Sequence, residues 1–102
     1  MAAANITVVV LEPGKPGEVR EIPNTLEALQ GAIGGGYVEV FHNSASSAFV
    51  YCDEEGDLKK LPPNKQIGAH EVVGTALFAR HESNDTVSLT PEQVARVKAL
   101  YG

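Results

Sequence analysis

The sequence predicts an α+β domain, with an antiparallel or mixed sheet of about five strands and two helices packed on one face. Three observations carry that expectation: short β-branched apolar runs punctuated by Gly, Pro and Asn, a helical stripe that stops at Gly34–Gly36, and a complete helix-start signature at Leu89–Gln93. A chain of 102 residues, 43% hydrophobic and 21% charged, has the size and composition of one globular unit, so residues 1–102 read as a single domain. At this size only about two-thirds of the unfolded surface is buried, which makes stability modest and leaves homo-oligomerisation open.

The elements follow in order. Ile6-Thr7-Val8-Val9-Val10-Leu11 is apolar on both parities, the pattern of a strand covered on both faces and central in its sheet. Glu12–Gly17 supplies turn chemistry, and Glu18–Ile22 returns as the antiparallel partner. Asn24 is placed to cap a helix, with Glu27 three residues on to close a capping box. Leu26, Leu29 and Ile33 then form one apolar stripe, and Gly34–Gly36 end it because glycine adopts the left-handed conformation without a Cβ clash. Tyr37–His42 and Ala48–Cys52 read as a hairpin with one core face, Leu58–Leu61 as a very short strand, and Glu71–Arg80 as the last clear strand, with Gly74 marking a bulge or a close approach. At the C-terminus, Leu89 precedes a Thr90 cap, Pro91 opens the helix, and Val94, Val97 and Leu100 make its buried stripe.

Composition excludes several function classes. Eight Lys+Arg against thirteen Asp+Glu give a net charge of -5, which disfavours an extended nucleic-acid footprint. Cys52 is the one cysteine, so an intrachain disulfide or a multi-cysteine metal site is excluded, and its place in an apolar run predicts a buried, inert thiol. Met1–Ala4 carries no basic targeting region, and no stretch is apolar for the length a membrane span needs, so a cytoplasmic protein is expected. His42, His70 and His81 lie in distant segments, and Ser44, Ser46 and Ser47 lack a strand-to-helix nucleophile turn. The turn Asp53–Asp57 lacks the ligand alternation of a calcium loop and reads as solvated, with Gly56 at positive φ. Gly34–Gly36 follow a helix rather than precede one, the wrong end for a phosphate cradle. No catalytic set, metal or cofactor emerges, and the expectation is a protein that is not an enzyme.

Two segments carry a resemblance. Ile22-Pro23-Asn24-Thr25-Leu26-Glu27-Ala28-Leu29-Gln30 runs into Gly34–Gly36 and Tyr37-Val38-Glu39-Val40, and Cys52-Asp53-Glu54-Glu55-Gly56-Asp57-Leu58 is followed by Leu61-Pro62-Pro63-Asn64-Lys65. Together they resemble the domain of unknown function 3846 family, small proteins largely of phages and mobile elements, over the stretch from Ile6 to the C-terminal helix. The resemblance implies an accessory protein acting in a host cell cytoplasm on host machinery or defence signals. It implies no established activity.

Two functions compete. In one, the protein sequesters a small anionic ligand, such as a nucleotide immune signal, because Lys59, Lys60 and Lys65 cluster on a backbone stiffened by Pro62 and Pro63. Lys59, Lys60, Lys65 and Arg80 would take phosphates, Asn64 and Gln30 polar edges, and Tyr37 or Tyr51 would stack on a base. In the other, an acidic module docks on a host protein through a strand edge or the face carrying Glu12, Glu18 and Glu21. The first requires a pocket where basic and aromatic groups converge; the second requires an exposed acidic surface without one.

Overall fold

The computed structural model describes residues 5–83 and 85–102, so the reading of Met1–Ala4 lies outside the described residues. In chain order the elements are β1 (Asn5–Leu11), β2 (Glu18–Pro23), α1 (Leu26–Ala32), β3 (Val38–Asn43), β4 (Ala48–Asp53), β5 (Pro63–Ile67), β6 (His70–Val73), β7 (Ala76–Glu82), β8 (Asp85–Val87) and α2 (Pro91–Tyr101). The architecture is α+β. The main sheet runs β2-β1-β7-β4-β3, with β8 paired to the end of β7, while β5 and β6 form a separate two-stranded sheet. All the strand pairings among the described residues are antiparallel.

Successive residues of a strand point to opposite faces, and β1 divides its apolar side chains accordingly. Ile6, Val8 and Val10 pack with Leu29 and Ile33 of the first helical segment, together with Tyr51, Leu77 and Ala79. Val9 and Leu11 pack with Val97 of α2, together with Val50, Cys52, Phe78 and the hairpin residues Ile67 and Val72. The helices therefore lie on opposite faces of the sheet, which corrects the expectation that both share one. A strand apolar on both parities needs a cover on each side, and here each side takes one helix.

Other corrections are local. The cap of α1 is Thr25, whose hydroxyl accepts from the Ala28 amide (3.1 Å), whereas Asn24 reaches away to the Thr86 carbonyl (3.1 Å). Leu58–Leu61 is turn and loop rather than strand. The long strand expected over Glu71–Arg80 breaks at Gly74, which sits at φ 77° and donates to the Pro62 carbonyl (2.7 Å), so its halves join different sheets. Gly56 is not at positive φ; Lys60 carries that conformation in the loop, at φ 54°. Gly56 is required for space instead, since a Cβ there would lie 2.5 Å from Val73 Cγ2. In α2 the Thr90–Gln93 capping box forms as expected. Its inward stripe is Val94, Val97 and Tyr101, and Leu100 is 48% exposed.

Candidate functional site

The two segments that stood out in the sequence meet in space. Asp53, at the end of β4, is buried and accepts from the Glu55 amide (2.8 Å) and Lys59 Nζ (2.8 Å). Burial acts to raise its pKa, but the Lys59 hydrogen bond, the Glu55 amide and the Lys59 charge together hold it below the usual aspartate value. The Lys59 ammonium passes over Gly36, where a Cβ would come within 2.6 Å of Nζ. The Glu54 amide donates to the Tyr37 carbonyl (2.9 Å), extending the β3–β4 pairing by one residue. At the far end of the loop, Asn64 Nδ2 donates to the carbonyls of Leu11 and Gly74 (2.8 Å each), tying the Pro-Pro segment to β1.

These contacts redistribute the residues expected to bind an anion. Lys59 is paired with Asp53, and Asn64 is committed to two carbonyls through its amide group. Lys65 donates to the Tyr101 carbonyl at the end of α2, and Arg80 donates to the Ser88 carbonyl (2.9 Å) and pairs with Glu82 (3.1 Å). Lys60 is exposed at the turn, while Gln30 lies half-buried in α1 and accepts through its carbonyl from Gly35 (2.6 Å). Tyr51 is buried, its hydroxyl bonded to His81 Nε2 and to Thr86 Oγ1 (2.8 Å), so its ring face is not open to a base. Of the eight residues, Lys59 and Tyr37 are brought into one neighbourhood, and the other six are distributed over α1, β4, β5, β7 and the loop between β4 and β5.

What the neighbourhood of Tyr37 does form is an apolar surface with an acidic wall. Tyr37 is 69% exposed and Leu58 is 81% exposed. With Glu54 and Glu55 they line a concavity of about 430 Å³. The sequence reading assigned the two glutamates to a solvated turn and Leu58 to a strand, and so missed them. One signal was available: Leu58 is a lone large apolar residue between an acidic run and Lys59-Lys60, with no alternating neighbours to bury it in a strand.

A second cluster of polar aromatic groups lies on the α1 face. His81 stacks on Phe49 (ring centroids 3.9 Å apart, planes 10° from parallel), and His42 meets the edge of Phe49 from β3 (5.0 Å). Burial lowers the His81 pKa and raises that of Tyr51, so the imidazole stays neutral and the phenol protonated near neutral pH. Burial, then Glu39 and Asp53, push the Cys52 thiol up to about 11, and its side chain lies within the α2-face core. Among the described residues, no three His, Cys, Asp or Glu side chains converge on one point.

A family model, the domain of unknown function DUF3846, matches residues 6–102. The chain belongs to that family. Comparison with curated proteins and with solved structures found no match. In this DUF3846 domain, the acidic turn and the Pro-Pro loop that carried the resemblance make structural contacts through Asp53, Gly56 and Asn64, and leave Tyr37, Glu54, Glu55 and Leu58 facing outward.

Proposed function

We propose that this DUF3846 protein is a non-enzymatic interaction module that docks on another protein through Tyr37 and Leu58, with Glu54 and Glu55 selecting a basic partner. The observation that carries this reading is the meeting of two strongly exposed apolar side chains in one carboxylate-walled concavity. Its partner would present an apolar anchor flanked by Lys or Arg, because the chain's net charge of -5 and the local glutamates favour positive potential. The face of Glu12, Glu18 and Glu21 is the weaker docking surface, since Arg20 pairs with Glu12 (3.8 Å) and Glu18 (2.8 Å) and Lys15 with Glu12 (3.6 Å). Sequestration of a small anion is also weaker: the cations it needs diverge, and the aromatic beside Lys59 is walled by carboxylates. If the protein is phage-encoded, the partner is a host protein met in the host cytoplasm.

Calorimetry with a panel of short peptides tests this. Peptides with a central Leu or Phe flanked by Lys should bind, and Leu58→Glu should weaken them about ten-fold or more. Acidic-flanked peptides should not bind. Absence of peptide binding, together with a stoichiometric nucleotide released from the purified, heat-denatured protein, would replace docking with ligand sequestration.

A further inference from the structure

The two edges of the main sheet differ in how they are guarded. An edge strand presents unpaired N–H and C=O groups and invites another strand, so proteins protect such edges with charges, proline or bulges. β2 is protected in this way, carrying Glu18, Arg20 and Glu21 and ending at Pro23. β3, Val-Glu-Val-Phe-His-Asn, carries a single exposed carboxylate, Glu39, and has no proline, no lysine and no break in its register with β4.

The pairing shows which backbone groups are free. Because the Glu54 amide donates to the Tyr37 carbonyl, Tyr37 forms a hydrogen-bonded pair with Glu54, and the alternation of an antiparallel ladder puts Glu39 and Phe41 in the same class. Val38, Val40 and His42 therefore direct their N–H and C=O groups away from β4, to the open side. Among the described residues, those groups have no backbone partner outside the β3–β4 ladder.

We propose that β3 pairs antiparallel with β3 of a second copy of this chain, about a two-fold axis at Val40. This is the register that engages all three outward residues: Val40 opposes Val40 of the second copy, and Val38 opposes His42 on either side. A shift of the axis to Glu39 or to Phe41 leaves two such pairs, and the former also sets Glu39 against Glu39, which cross-strand repulsion disfavours. The central register instead sets Glu39 against Phe41. Val40, 44% exposed on the thinly covered α1 face, gains an apolar neighbour across the axis. The interface is isologous and joins the two main sheets into one. It stands independently of peptide docking at Leu58.

Sedimentation equilibrium of the full chain, from micromolar to millimolar, should give a mass twice the 10.8 kDa of one chain at the upper end. Val40→Pro removes an N–H that no strand of the same chain uses, so it should keep the monomer fold by circular dichroism and lose the dimer. Val40→Lys should do the same by charge, and Val19→Lys on the opposite edge should leave the dimer intact. Amide exchange at Val38, Val40 and His42 should slow as concentration rises. A monomer at every wild-type concentration overturns the proposal, as does a dimer that survives both Val40 variants.

Discussion

On one face of the sheet, α2 and the β5–β6 hairpin cover Val9, Leu11, Val50, Cys52 and Phe78. On the other, α1 has seven residues and gives way to three consecutive glycines at positive φ, so it covers Val8, Val10 and Leu77 while the β3 end of the sheet stays half open. Val40 and His42 lie on that side, whereas Tyr37, which pairs with Glu54 one residue before β3, shares the parity of Glu39 and Phe41. The long cover buries its side of the sheet more completely, and the short one leaves Val40 at the β3 edge 44% exposed. A longer α1 would bury more apolar area at that edge.

That contrast can be broken by measurement. The largest effect should come from the well-covered face: Phe78→Ala removes a fully buried ring that stacks on Tyr101, and should cost about 3–5 kcal/mol in urea unfolding. An equal loss from Leu29→Ala, on the inward side of the short helix, would show that both faces are equally packed.

Next in size is the buried carboxylate that anchors the loop. Asp53→Ala strands the Glu55 amide and releases Lys59, for a loss of about 1–3 kcal/mol. The pH dependence has a definite sign. Since the folded Asp53 pKa lies below its ordinary 3.8, its contribution is present above that value and is lost as pH falls through the lower folded value. His81, whose pKa burial lowers from 6.5, adds a separate loss as pH falls below 6.5, because the unfolded chain takes up that proton first. Both groups point to the α1 side, so acid should loosen that side first, as followed by amide exchange at α1 and α2 across the titration. Simultaneous loss of protection in both helices would refute the ordering.

A smaller effect is expected at the start of α2. Thr90→Ala should lower stability by about 0.5–2 kcal/mol through loss of the cap to Gln93, read as a shift in the thermal midpoint. The smallest belongs to the proposed docking surface: Leu58→Ser should change stability by no more than about 0.5 kcal/mol, because the side chain is exposed, yet weaken peptide binding, by no more than Leu58→Glu does. A large destabilisation there would make Leu58 part of the packing and remove it as a docking residue.

Signals that lie within a few residues were legible in the sequence. The α2 cap depends on Leu89–Val94 alone, the stop of α1 on Gly34–Gly36, and the burial of β1 and Cys52 on unbroken apolar runs, because backbone sterics and local hydrogen bonds act over one or two turns. Which partner a long side chain finds was decided by tertiary structure. The sequence showed three lysines close together. The fold gave Lys59 to Asp53 and Lys65 to the end of α2, because a buried carboxylate and unsatisfied helix carbonyls are stronger local acceptors than solvent. It also placed the helices on opposite faces and split the strand at Gly74, since sheet order rather than periodicity determines which face needs a cover. Apolar periodicity identifies side chains to be buried, whereas Tyr37 and Leu58 stay exposed because both lie outside the strands, one just before β3 and the other in the loop between β4 and β5, where neither helix covers them.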